Sequence, residues 1–209
     1  HDVWTQECGP VIGLTVSQRA ARVLSDEGVE NAANIAKFLD TNRRLESGTA
    51  VSDEDRNACQ LRPGQLILVD EASMAETGQL DEIRRYADLA GAKVLYVGDN
   101  AQLSSVGSGG VFSQLTEDLP NVHRLDEVMR FNSEWEKEAS LKLRKGEVDV
   151  LAEYETRGRL RAGTREEMVE ASYQSWLVDH TGGKDAVLIA PTTAQADELA
   201  ARARADLVR

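Results

Sequence analysis

Four consecutive apolar residues, Leu66-Ile67-Leu68-Val69, run directly into two carboxylates, Asp70 and Glu71. A run this short has the length of a strand rather than a helix. Because it is continuous and not alternating, it suits a strand buried on both faces, the situation of a parallel sheet covered by helices. Residues 11–16 (Val-Ile-Gly-Leu-Thr-Val) repeat the pattern, and Ser17 follows with a hydroxyl able to cap the open N–H groups of a helix. Residues 93–97 read as a further strand and 122–125 as another. Helical patterns lie between them. One covers about 31–40, with Ile35, Phe38 and Leu39 as its apolar stripe. A second covers about 76–90, with Leu80, Ile83, Ala87 and Ala90 at helical spacing and Gly91 at its end. The polar run 41–57 reads as surface loop. Strands separated by helices predict an α/β fold built on a mostly parallel sheet.

After Arg130 the pattern turns helical, over 134–144 and about 165–178, and Thr181-Gly182-Gly183-Lys184 reads as a linker. Residues 187–190 (Val-Leu-Ile-Ala) open a new strand, and a last helix starts at Thr193. The end of the chain thus echoes its beginning. With 209 residues, room for one ordinary domain plus part of another, the expected organisation is a first α/β domain over 1–130, a helical extension and linker over 131–183, and the first strand and helix of a second α/β domain over 184–209.

Charge restricts how such a chain meets its partners. With 24 basic against 36 acidic residues the net charge is −12, so the bulk field repels nucleic acid and any contact with DNA must be local. The one basic stretch, Arg157, Arg159, Arg161 and Arg165, reads as a solvated turn. No apolar run is long enough for a membrane span, and no basic start leads into an apolar signal segment; a cytoplasmic protein is expected. Cys8 and Cys59 lie far apart without companion ligands, which excludes a disulfide framework and suits a reducing compartment.

In open α/β sheets ligands bind outside the carboxyl ends of the strands. Asp70 and Glu71 stand at such an end. As neighbours they point in different directions, so one can hold Mg²⁺ while the other polarises a water for attack. Gly98-Asp99-Asn100-Ala101-Gln102-Leu103 follows another strand. There Gly98 permits a sharp turn, and the neutral Gln102 amide could sense a phosphate without adding negative charge. Residues 104–110 (Ser-Ser-Val-Gly-Ser-Gly-Gly) are small enough to cradle a phosphate but lack the lysine and spacing of a P-loop, and read as a coupling loop. Arg130 carries a guanidinium able to reach phosphate oxygens. His1, His123 and His180 lack ligand spacing, and Trp4, Trp135 and Trp176 read as packing anchors on helices.

These residues resemble a family. Leu68-Val69-Asp70-Glu71-Ala72-Ser73-Met74 is similar to the Walker-B motif of superfamily-one helicases. Gly98-Asp99 with Gln102-Leu103 resembles their third motif, and Leu125-Asp126-Glu127-Val128-Met129-Arg130-Phe131 the fourth, whose arginine reaches the nucleotide. Thr15-Val16-Ser17-Gln18-Arg19-Ala20-Ala21 resembles the DNA-contacting motif after the first helix of the motor. The RecD-like branch fits best, in particular the motor of conjugative relaxase–helicases, which the run Arg130-Phe131-Asn132-Ser133-Glu134-Trp135-Glu136 resembles. Ala190-Pro191-Thr192 resembles the start of their second motor domain.

The resemblance implies a RecA-like three-layer sandwich that uses ATP and Mg²⁺ to move 5′-to-3′ on single-stranded DNA, with conjugation-machinery proteins as possible partners. It implies that Asp70 holds Mg²⁺, that Glu71 is the base for the attacking water, that Asp99 and Gln102 meet the nucleotide with Gln102 sensing the γ-phosphate, and that Arg130 stabilises transition-state charge. Ser17, Arg19 and Thr192 would meet the DNA backbone. No Gly-x-x-x-x-Gly-Lys-Ser/Thr occurs in the chain; residues 1–9 read as the tail of the helix that follows that loop in the family, so a piece of a larger motor is expected. A non-hydrolysing relative, a RecA-like module that only binds DNA or protein, and a RecD-type exonuclease subunit are the alternatives.

Overall fold

The computed structural model describes residues 4–5, 9–102, 110–125 and 127–207. Leu103, the small-residue run 104–109, Asp126, Cys8 and His1 lie outside the described residues. The chain divides into two compact units, residues 1–126 and 127–209.

The first unit is built on four parallel strands: β1 (Val11–Thr15), β2 (Asn31–Asn34), β3 (Leu66–Val69) and β4 (Lys93–Tyr96). Their order is β2-β1-β3-β4, with Ile12 opposite Ile67, Ile67 opposite Val94 and Leu14 opposite Ala33. Between them run α1 (Gln18–Asp26), α2 (Ile35–Glu46), α3 (Asp53–Cys59) and α4 (Thr77–Ala90); α5 (Val111–Asp118) follows β4. On one face of the sheet Ile12, Leu14, Ala33, Ile67 and Val69 pack against Ile35, Phe38 and Leu39 of α2, Cys59 of α3, and Leu80, Ile83, Tyr86 and Ala87 of α4. Each fully buried aliphatic or aromatic side chain there contributes about 1.5–3 kcal/mol. On the other face Val11 packs with Leu24 of α1 and Val29, and Trp4 lies against that group. Gly13 is required in this layer: a Cβ on it would stand 2.6 Å from Leu24 Cδ2 and 2.9 Å from Val29 Cγ1. Helices on both faces of a parallel sheet make the three-layer α/β, RecA-like sandwich that the sequence predicts.

Local chemistry sets the boundaries. The Ser17 hydroxyl accepts the Ala20 N–H and starts α1, while Asn34 accepts the Lys37 N–H and starts α2. Glu76 and Gln79 form a reciprocal capping box at α4, which ends at Gly91 with φ +67°. Pairing with β1 overrides composition at residues 31–34, so the predicted helix over 31–40 is a strand followed by a helix that runs on to Glu46. The expected loop 41–57 also contains α3, capped by Ser52 and favoured by three acids in its first turn. Cys59 closes α3 fully buried, where burial pushes its thiol pKa up.

The second unit is helical: α6 (Glu134–Arg144), α7 (Leu151–Thr156), α8 (Arg165–Thr181) and α9 (Thr193–Leu207). Trp135 packs edge-on to Tyr154 and under the Arg157 guanidinium. Tyr173, on α8, is fully buried and donates to Asp206 of α9 at 2.7 Å, with Arg202 stacked on its ring. The Trp176 indole N–H donates to the Ala186 carbonyl. The runs 122–125 and 187–190 are not strands; their apolar residues have no sheet neighbour, and Leu125, Val187 and Ile189 are largely exposed. No described helix is long and apolar enough to cross a membrane.

Candidate active site

From β1 the chain steps to β2 on one side of the sheet and then to β3 on the other. That reversal is a topological switch point, and the carboxyl ends of β1 and β3 are the place where α/β sheets bind ligands. Asp70 opens the turn there. Its N–H still donates to the Leu14 carbonyl at 2.8 Å, and its Oδ1 accepts the Glu71 N–H at 2.9 Å. This side-chain bond folds the chain sharply at the end of the strand.

Glu71 has φ +52° and ψ +39°, the only left-handed non-glycine residue among those described. Such a conformation costs about 1–2 kcal/mol in a residue with a Cβ, and strain of this kind concentrates where a side chain must be aimed. The surroundings hold it in place. A 3-10 turn (Ala72–Met74) follows, and the Ala72 N–H donates to the Val97 carbonyl at the end of β4 at 2.8 Å. Gly98 lies against the same turn: a Cβ on it would be 3.0 Å from Ser73 N, 3.1 Å from Ala72 N and 3.2 Å from Phe112 Cζ of α5. The turns leaving β3 and β4 are therefore pinned together.

The turn after β4 carries Asp99 and Gln102. Asp99 accepts the Ala101 N–H at 3.0 Å, and its carboxylate receives the exposed Gln102 amide at 3.4 Å. At the end of β1, the buried Thr15 hydroxyl donates to the Ser17 carbonyl at 2.9 Å and shapes the turn into α1. Ser17 and Arg19 are exposed at the first turn of that helix. Asp70, Glu71, Asp99, Gln102, Ser17 and Arg19 thus all follow the carboxyl ends of strands of one sheet. Arg130 and Thr192 belong to the second unit; both are exposed, and the Thr192 hydroxyl accepts the Gln195 N–H at the start of α9.

Two half-buried carboxylates with oxygen donors suit Mg²⁺, which keeps several waters and takes phosphate oxygens instead of an all-protein cage. Among the described residues no group of three or more His, Cys, Asp or Glu side chains is placed to hold a metal ion. Sequence reasoning passed over three residues that shape the site. Thr15 opens the motif before α1 without a role of its own, and Phe112 follows a run of small residues that signals only a loop. Ser73 stood inside the quoted acidic motif without a role, yet its side chain is buried.

A family model described as an AAA domain matches residues 1–165. The chain belongs to this AAA-domain family. It is 29% identical over 210 residues to a probable conjugal transfer protein TraA of Sinorhizobium fredii (strain NBRC 101917 / NGR234), a match covering 100% of this chain and 18% of that protein. It is 28% identical over 182 residues to the conjugal transfer protein TraA of Rhizobium radiobacter, covering 85% of this chain and 16% of that protein. To TraA of Agrobacterium fabrum (strain C58 / ATCC 33970) it is 29% identical over 183 residues, again 85% and 16%. The chain therefore spans less than a fifth of the length of these relatives. The resemblance to helicase-type motors and to proteins of conjugation, read from the motifs, is borne out. The four strands and the acidic turn described above all fall within the AAA domain's match.

Proposed function

We propose that this chain forms part of the ATP-hydrolysing core of a DNA helicase that moves along single-stranded DNA, in a relaxase of conjugative transfer. The observation that carries the reading is the acidic turn at the topological switch point: Asp70 fixed at the end of β3 and Glu71 held left-handed beside it. A magnesium ion held here with the nucleotide would supply neutralisation of phosphate charge. Asp70 would hold that ion directly or through water. Glu71, held left-handed beside Asp70, would accept a proton from the attacking water. Gln102 would donate its amide to the γ-phosphate, and Asp99 would meet the nucleotide. Arg130 would supply positive charge to the transferring group, and Ser17, Arg19 and Thr192 would hold the DNA backbone.

A net charge of −12 supports few, local DNA contacts of this kind over a broad basic face. The conjugal transfer names of the relatives favour a relaxase over an exonuclease subunit. Residues 184–209 are read as the start of a second motor domain, in which Val187 and Ile189, exposed and outside any strand in this chain, would be buried by the rest of that domain's sheet. The test uses a polypeptide holding this chain with the flanking sequence that its relatives carry. DNA-stimulated ATP hydrolysis is expected, reduced at least 100-fold by Glu71→Gln with nucleotide binding retained. Turnover that survives Glu71→Gln would refute the assignment.

A further inference from the structure

The turn after β3 contains a buried hydroxyl without a bond among the described residues. Ser73 is 7% exposed, and its Oγ has no hydrogen-bond partner among them. Buried polar groups are almost always paired, and leaving one orphaned destabilises the fold, so an orphan beside a candidate active site is a contact held open. The neighbouring segment is the turn 98–102: a Cβ on Gly98 would approach Ser73 N to 3.0 Å, and the Ala72 N–H already bonds Val97. In that turn the Gln102 side chain is exposed and bonds the Asp99 carboxylate only at 3.4 Å, long for such a bond. A primary amide has two ends. Its nitrogen can donate to a phosphate oxygen while its oxygen accepts from a hydroxyl.

We infer that Ser73 is a positioning residue: when a nucleoside triphosphate with its divalent cation binds at the carboxyl ends of β1 and β3, the Gln102 amide leaves Asp99, donates to the terminal phosphate and accepts the Ser73 O–H. The inference rests on the proposed reading of the acidic turn as a hydrolytic site. Bonding of Ser73 to Gln102 adds a side-chain tie between turns that Gly98 and the Ala72–Val97 bond already hold together, and so steadies Glu71 further. Without nucleotide the lock is open and the hydroxyl unpaired. Ser73 touches no reacting atom; it acts through Gln102 and Glu71.

The two states make opposite demands on one substitution. Ser73→Ala removes an unsatisfied hydroxyl from the nucleotide-free chain, so its melting temperature should equal or exceed that of the wild type. In the longer, hydrolysing polypeptide the same change should lower kcat about tenfold, the loss of one hydrogen bond that matters in the transition state, with KM altered less than twofold. In a Gln102→Ala background Ser73→Ala should have no further effect on kcat, because the two act as one unit. A lowered melting temperature for Ser73→Ala, an unchanged kcat, or additive losses in the double variant would each overturn the lock. Hydrolysis that requires Glu71 but ignores Ser73→Ala refutes the lock alone. Absence of DNA-stimulated hydrolysis in the wild-type polypeptide refutes the reading of the site, and the lock with it.

Discussion

Gly98→Ala tests whether the acidic turn is held by the close approach of two strand exits. The added methyl carbon would lie 3.0 Å from Ser73 N, 3.1 Å from Ala72 N and 3.2 Å from Phe112 Cζ. Two of these three neighbours are backbone atoms, which cannot swing aside as a flexible side chain does. Either β4's exit backs away and stretches the 2.8 Å bond from the Ala72 N–H to the Val97 carbonyl, or the 3-10 turn shifts and carries Glu71 with it. Overpacking of this kind costs ~1–3 kcal/mol. At ~2–4 °C per kcal/mol the melting temperature should fall by roughly 2–12 °C. Gly78→Ala is the matched control: Gly78 lies in the first turn of α4 with nothing within 4 Å of an added Cβ. There alanine's helix propensity should raise stability by up to ~1 kcal/mol. Thermal unfolding of the two variants, followed by circular dichroism, gives opposite signs if the reasoning holds. Gly98→Ala as stable as the wild type would mean that the two turns are not pinned together.

Relief of the left-handed backbone should be measurable as stability exchanged for chemistry. Glu71→Gly removes the Cβ penalty at φ +52°, and chemical denaturation should show a gain of up to ~1 kcal/mol while hydrolysis is lost; a destabilised variant would contradict the strain argument. In the second unit, Arg202 and then Gln174 hold the Glu170 carboxyl down to about 2, against an ordinary 4.5. A depressed carboxylate stabilises the fold above about pH 4.5 and loses that contribution as pH falls towards 2. Wild type should therefore exceed Glu170→Gln in stability at neutral pH and converge with it as the pH falls, read from Trp176 fluorescence during acid titration. The effect is modest because the pair is solvent-exposed, and a difference that stays constant with pH would refute it.

What the sequence discloses depends on whether the signal is local. The run 66–69 is legible as a continuous apolar segment of strand length, and the helix over Thr77–Ala90 because apolar periodicity, a capping box and a terminal glycine agree within it. β2 is not legible: Asn-Ala-Ala-Asn has no strand propensity, and only pairing with β1 makes it one. The helix Asp53–Cys59 is hidden by its polarity, having one buried residue to show for itself. The opposite error occurs at 122–125 and 187–190, where β-type residues are present but no neighbouring strand receives them.

The candidate site divides along the same line. Carboxylates at the end of an apolar run are visible in one dimension, since the run fixes where the strand stops. The left-handed turn at Glu71 is not, because no residue around it demands that conformation; it is imposed by Gly98, Val97 and Phe112, which arrive from later in the chain. The pinning contact is also why Gly98 cannot be read as an ordinary turn glycine. A glycine needed for backbone freedom alone would tolerate any neighbour, whereas this one is needed for the space its missing side chain leaves to another segment's backbone. Substitution at 98 should thus act on the geometry at 71, and a chain that keeps every acidic residue of the motif can still lose the site.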